Sequence, residues 1–382
     1  MARQRNRRTV ATLKPDFDHG ANERVELPLL EPLPLDELPH RPKVSVAVPS
    51  YNYGRFLAEC LDSCLAQTVR ADEIVVVDDG STDATWEVLQ SYASRFAHVR
   101  GIRQNNAGVC AATNAAIAAC TGDVVLLLDA DDLMAPQRVE MVIEALRTPI
   151  DGRLPGWVHH ALRRFSDTHP DLGLTPHYAA SPHGYLAGDV LDKAQSPVAT
   201  VSSGLAFRRE LLAAIGPLDE ERVMAQDMQL WLAAALLSPV AWIAQPLARY
   251  RMHGVSDSAG GMMSSLPKVR VMRERYERTE SWIGQLLQKY RPQATGRRPP
   301  LSEQPGFLWL QFLERWWSGG GKDFKLLRKV LRHPQTRAAP LQQRVYLYGS
   351  VCLPRPWFMA FSGLIFGASP LKAFVRKCLG RA

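Results

Sequence analysis

Three short runs set polar groups directly behind stretches of apolar residues: Pro49-Ser50-Tyr51-Asn52, Asp78-Asp79-Gly80-Ser81 and Asp129-Ala130-Asp131-Asp132. Carboxylates crowded at the ends of hydrophobic strands repel one another, so something must neutralise them. A divalent cation held by oxygen ligands is the natural partner. Two other phosphate chemistries are excluded. The position after the first strand reads P-S-Y-N-Y-G, not the dinucleotide-binding G-x-G-x-x-G, and no G-x-x-x-x-G-K-[ST] occurs anywhere in the chain.

The segments that must position these runs alternate in period. Residues 44–48, 74–77 and 124–128 are short apolar runs and read as buried strands, with 99–103 as a candidate third strand in chain order. Between them, Phe56, Leu57, Cys60, Leu61, Cys64 and Leu65 recur at helical spacing. Ser81-Thr82-Asp83 offers N-cap chemistry for a helix through Trp86 and Leu89. Gly108 opens an Ala-rich helix, and Pro136 suits the first turn of a helix running to Arg147. Strand alternating with helix predicts an α/β fold with a doubly wound, mostly parallel sheet. Ligands of such sheets bind beyond the carboxyl ends of the strands, where the three runs stand.

From Thr148 to about Thr200 the pattern weakens, which predicts a long irregular insertion facing the active site or an acceptor. His159, His160, His177 and His183 fall in it without metal-ligand spacing and read as solvated loop. Regular structure resumes over 201–207, followed by a helix carrying Asp227, Leu230, Trp231 and Ala234. Beyond His253 come a polar linker and helices over about 268–290 and 306–317.

In order and spacing, these runs resemble the family 2 glycosyltransferases of GT-A fold. The resemblance extends through Asn105-Asn106-Ala107-Gly108, Ser203-Gly204-Leu205-Ala206-Phe207-Arg208-Arg209, Gly216-Pro217-Leu218-Asp219-Glu220, Gln226-Asp227 and Arg249-Tyr250-Arg251-Met252-His253, and covers residues 44–260. It implies an inverting, metal-dependent transfer of a sugar from a nucleotide-diphosphate donor, UDP- or dTDP-linked, to a hydroxyl of a glycan or lipid-linked acceptor. It assigns Pro49, Tyr51 and Asn52 to the turn around base and ribose, Asp79 to the base, and Asn105 and Gly108 to the loop beside the nucleotide. Asp129 falls near the ribose. Asp131, and His253 as in some relatives, fall to Mg²⁺ or Mn²⁺. Asp227 matches the general base, for which one carboxylate suffices in a direct displacement. Two positions depart from the family pattern. Gln226 stands where an acid is usual, and Thr113 precedes Asn114 where relatives often carry Arg, which weakens an expected diphosphate contact. Asp78 is left open between capping its turn and touching ligand, and Asp132 reads as a helix cap outside the metal set. The rivals are a sugar-phosphate nucleotidyltransferase, whose Gly-rich loop with a Lys is missing, and a catalytically degenerate glycan-binding relative.

The charge has a location. Residues 322–382 carry twelve Lys and Arg against one acid, Asp323, a formal +11, while the 321 residues before them sum to −3. With no nucleic-acid motif, partnership with nucleic acid is not expected. Cationic residues interleaved with Phe324, Leu327 and Trp357 instead read as a peripheral contact with an anionic membrane. The resulting organisation is a Pro-rich mobile leader over 1–43, a GT-A domain over 44–260 and a helical, basic C-terminal extension over 261–382. The N-terminal arginines are not followed by an apolar h-region, and the six cysteines form no C-x-x-C pair, so a cytoplasmic protein with reduced thiols is expected. Gln311–Trp317 imitates the Q-x-x-R-W of processive synthases with its arginine one residue late, and a non-processive enzyme is expected.

Overall fold

The computed structural model describes residues 30–176, 181–194, 200–220, 225–253, 265–339 and 341–366. Apart from Leu30 and Glu31, these residues belong to one compact unit that begins at Pro32. Residues 1–29 of the expected leader, His177, and the basic residues beyond 366 lie outside the described residues.

The first half alternates as its periodicity predicts. β1 (Val44–Ser50), α1 (Gly54–Leu65), β2 (Glu73–Asp78), α2 (Thr85–Arg95), β3 (Val99–Arg103), α3 (Val109–Ala119) and β4 (Val124–Leu127) follow in turn. β1 lies between β2 and β4, parallel to both, and β2 pairs parallel with β3. Covered by helices, β1, β2 and β4 need no polar face, which is why they read as apolar runs, whereas β3, V-R-G-I-R at the end of the strand order, is only partly buried. Val46, Val48, Leu57, Leu61, Ile74, Val76 and Leu126 are all fully buried in one core. Each such side chain contributes about 1.5–3 kcal/mol of transfer free energy.

The second half of the sheet is mixed. β5 (Leu133–Met134), α4 (Arg138–Arg147), β6 (Trp157–Phe165), β7 (Leu174–Thr175), α5 (Ala187–Asp192), β8 (Leu205–Arg208), α6 (Arg209–Ile215), α7 (Gln226–Leu237) and β9 (Val240–Arg251) complete it. The strand order is β3-β2-β1-β4-β8-β6-β9-β5, with β7 on β6. Here the expected irregular insertion is corrected. Nine of its residues form β6, which pairs antiparallel with β8 and parallel with β9 in mid-sheet. His159 and His160 are fully buried rather than solvated, while His183 is exposed. Burial pushes the His159 pKa down to about 4 and that of His160 well below its ordinary value, so both imidazoles are neutral. His159 Nε2 lies 2.7 Å from Pro182 O, and His160 Nδ1 2.8 Å from Ala161 O. The strand was illegible because W-V-H-H-A-L-R-R-F has neither alternation nor an apolar run, and pairing on both edges overrides that local pattern.

Smaller differences are local. α4 begins at Arg138, two residues past Pro136. α2 has no side-chain bond from its N-cap residue; Asp83 instead accepts from Thr85 N at 3.0 Å. Residues 33–42 hold no helix or strand yet are tied down, through Leu33 N on Leu237 O at 2.8 Å and Arg147 on His40 O at 2.7 Å.

The remainder is helical: α8 (Leu266–Tyr290), α9 (Pro305–Trp317), α10 (Phe324–Arg332), α11 (Pro334–Ala338), α12 (Leu341–Cys352) and α13 (Arg355–Phe366). A second core joins them, in which Phe312, Leu313, Trp316, Trp317, Leu327, Val330 and Phe358 are buried. The Gln311–Trp317 run therefore spends its aromatics on packing. Among the described residues no helix is long and apolar enough to cross a membrane.

Candidate active site

The turns after β1 and β2 clasp each other. Asn52 N donates to Ser81 Oγ at 2.9 Å, Thr82 N to Asn52 Oδ1 at 2.8 Å, Tyr53 N to Thr85 Oγ1 at 3.0 Å and Gly54 N to Asp83 Oδ2 at 3.0 Å. Asn52 holds φ +57°, a left-handed conformation that Asn tolerates better than most residues. Gly54 is dictated by contact, since a Cβ there would stand 2.7 Å from Thr85 N. Pro49 is buried within β1, and Tyr51 stands 46% exposed at the rim.

Asp78 caps its own turn: Oδ1 accepts from Ser81 N at 3.0 Å, and Arg103 Nε lies 3.2 Å from Oδ2. Asp79 braces the neighbouring loop. Its Oδ1 accepts from Gln104 Nε2 at 2.8 Å and Ala107 N at 2.9 Å, and its Oδ2 from Gly108 N at 2.8 Å. Gly108, at φ +96°, turns the chain into α3. Gly80, Ser81, Thr82, Arg103, Gln104, Asn105 and Asn106 line an open cleft of about 810 Å³.

Beyond β4 the acids converge. Asp129 N donates to Ser203 Oγ at 3.0 Å, and Asp129 Oδ1 accepts from Gln226 Nε2 at 3.3 Å. Asp131 Oδ2 lies 2.7 Å from His253 Nε2, where the chain leaves β9. Burial first, then the charges of Asp131 and Asp227, raise the Asp129 pKa to about 8. Burial, then Asp131 and Asp129, drive that of Asp132 well above the carboxylate range. Asp227, in the first turn of α7, accepts from Met228 N at 2.8 Å, and burial raises its pKa to about 6. The fold thus gathers Asp129, Asp131, His253 and Asp227 into one electrostatic unit. Of the residues expected around the nucleotide, Asn105 lines the cleft, Pro49, Asp79 and Gly108 are buried, and Tyr51 and Asn52 are exposed. Asp132 is corrected: its Oδ1 accepts from Arg251 N at 2.8 Å and tethers β9 rather than capping a helix.

Three residues have partners at the site that the sequence did not indicate. Gln226 bridges Asp129 to Ser202 Oγ, to which it donates at 2.9 Å, and accepts from Thr113 Oγ1. The two departures from the family pattern therefore touch each other. Arg251 lies in the Arg249–His253 run, but spacing gives no sign of its partners. Ser203 likewise carried no signal beyond its motif.

Among the described residues no three His, Cys, Asp or Glu side chains are arranged to hold a metal. Asp131 and His253 nevertheless fit one as a two-ligand corner. Their donor atoms stand near the roughly 2.9 Å separation of neighbouring ligands on an octahedral Mg²⁺ with bonds of about 2.0–2.1 Å. Such cations are commonly held by one or two side chains plus substrate phosphates. The buried His253 Nδ1 and Asp132 Oδ2 have no hydrogen-bond partner, which marks the corner as polar and under-satisfied.

Residues 45–216 match the family model described as glycosyl transferase family 2. The chain is 32% identical over 249 residues to the uncharacterized glycosyltransferase alr2836 of Nostoc sp., covering 64% of this chain and 76% of that protein. It is 34% identical over 134 residues to the chondroitin synthase of Escherichia coli, covering 35% of this chain but 18% of the synthase. Among solved structures it resembles the mannosyltransferase PcManGT of Pyrobaculum calidifontis, in complex with GDP-Man and Mn²⁺, at 19% identity and TM-score 0.47, covering 92% of this chain and 91% of that one. On its motifs in order, its parallel half-sheet and its match across most of the Nostoc protein, the chain belongs to glycosyltransferase family 2, enzymes that transfer glycosyl groups.

Proposed function

We propose that the enzyme moves a sugar from a UDP- or dTDP-linked donor to a hydroxyl of a glycan or lipid-linked acceptor, with inversion, in cell-surface polysaccharide synthesis. The supporting observation is the convergence of Asp129, Asp131, His253 and Asp227 beyond the carboxyl end of β4. Asp131 and His253 are the residues that would hold Mg²⁺ or Mn²⁺. When bound, the cation supplies neutralising charge to the diphosphate leaving group, worth several kcal/mol. Asp129 lies toward the ribose. Asp79, next to Gly80 of the cleft, is assigned to the imide N–H of uracil or thymine, for which Oδ2 keeps acceptor capacity beside Gly108 N. Asn105 lines the same cleft. Asp227 takes the proton of the acceptor hydroxyl as it attacks. A base raised to about 6 is ionised at neutral pH yet more basic than an ordinary aspartate.

The site of action we assign to an anionic membrane surface, reached through the basic extension. Leu327 and Val330 are spent on the helical core, so the apolar contact falls to Phe324 and Trp357, 65% and 72% exposed. A thermal-shift panel of nucleotide sugars with Mn²⁺ tests the donor class. Stabilisation by a uridine or thymidine diphospho-sugar, abolished in Asp131→Ala, is the expected result. Release of pyrophosphate rather than nucleoside diphosphate during turnover would mark a nucleotidyltransferase instead.

A further inference from the structure

We infer that Arg251 is the positioning residue of the metal corner, a role that rests on the metal-dependent reading above. Its guanidinium is 5% exposed and is gripped from three elements at once. Nε donates to Asp131 O at 2.9 Å, Nη1 to Asp167 Oδ1 at 2.7 Å beyond β6, and Nη2 to Glu59 Oε2 at 2.6 Å on α1. Its backbone N donates to Asp132 Oδ1 at 2.8 Å. Phe56 and Phe165 lie against the guanidinium, at 4.6 and 4.5 Å from their ring centroids.

Two features separate this arrangement from an ordinary buried ion pair. First, Arg251 bonds the carbonyl of Asp131, not its carboxylate. It fixes the backbone that carries the carboxylate and leaves Oδ2 to His253. Second, the Phe56 ring that lies on Arg251 also packs against His253, at 5.4 Å between centroids, with Tyr53 at 5.8 Å on the same imidazole. One side chain therefore sets both halves of the corner: Asp131 through its carbonyl, and His253 through the strand end and the shared aromatic. Groups that orient metal ligands from behind typically change affinity 10–100-fold when replaced. Lysine cannot substitute, because its single ammonium cannot meet acceptors in three directions within one plane.

The test is Mn²⁺ binding with UDP present, read by electron paramagnetic resonance of the full-length wild type, Arg251→Lys, Glu59→Gln/Asp167→Asn and Asp131→Ala. Arg251→Lys is expected to weaken Mn²⁺ binding at least tenfold and to raise the Mn²⁺ requirement of turnover. The double variant, which keeps Arg251 but loosens its grip, is expected to weaken binding severalfold with the circular dichroism spectrum unchanged. Should Arg251→Lys fold poorly, the double variant carries the test alone. Wild-type Mn²⁺ affinity in a folded Arg251→Lys or in the double variant, while Asp131→Ala loses binding, overturns the assignment alone. Equal binding by wild type and Asp131→Ala overturns the metal reading and the Arg251 assignment with it.

Discussion

His253 Nε2 stands 2.7 Å from Asp131 Oδ2 across 122 residues of chain. The contact closes the mixed half of the sheet onto the parallel half, because β9 delivers one partner and the turn after β4 the other. Both cations favour oxygen ligands, but imidazole binds Mn²⁺ better than the harder Mg²⁺. His253→Ala is therefore expected to raise the Mn²⁺ concentration needed for half-maximal rate about tenfold, and that for Mg²⁺ by much less. Metal titrations of initial rate measure both, and equal losses with the two cations would remove the imidazole from the coordination shell.

The base assignment has a pH signature. Asp227 must be ionised to accept a proton, and burial raises its pKa to about 6. The donor-saturated kcat/KM for acceptor should be flat above neutrality and fall about tenfold per pH unit below 6. Asp227→Asn should lose about 10²–10⁴-fold in kcat while nucleotide affinity stays near normal. An acid limb near pH 4 in the wild type, or loss of nucleotide binding in the variant, counts against the role.

Gln226 keeps a neutral amide where a further charge would face Asp129. Gln226→Glu places a carboxylate against Asp129 and Ser202, and its folded-state pKa would be raised. The destabilisation is then absent at acid pH, where the group is protonated, and grows as pH rises through the unfolded carboxylate pKa of about 4.3. Thermal melts should show near-wild-type stability at pH 4 and a deficit of about 1–3 kcal/mol at pH 8. A deficit independent of pH would point to packing instead.

Gly54 sits against backbone, 2.7 Å from Thr85 N and 2.8 Å from Ala84 C to an added Cβ. Gly54→Ala must push apart the clasp between the first two turns. An overpacking cost of about 1–3 kcal/mol is expected in urea unfolding, together with weaker nucleotide affinity by calorimetry. Unchanged affinity would show that the clasp does not shape the nucleotide wall.

Membrane contact is tested most cleanly by side chains outside the helical core. Phe358 is fully buried, so truncation before it would damage the extension itself. Phe324→Ala/Trp357→Ala should instead leave the melting temperature within about 2 °C and lower binding to phosphatidylglycerol vesicles severalfold in a flotation assay. Binding as tight as wild type would place the contact elsewhere.

Sequence alone determined the parallel half of this protein and where its acid-rich turns fall. Parallel strands buried on both faces are uniform apolar runs, so β1, β2 and β4 announce themselves, and the acids that follow them fall where open sheets bind ligands. The mixed half was not legible. β6 spends two histidines on buried, neutral positions, which residue type alone reads as solvated loop. The partners of each acid belonged to tertiary structure as well: Asp132 to Arg251, Asp129 to Gln226 and Asp131 to His253. The physical reason is range. Periodicity reports which face of an element is buried, a property local to that element. A hydrogen bond between residues 97 to 122 positions apart depends on where a sheet places two strand ends, and no spacing in the chain records it.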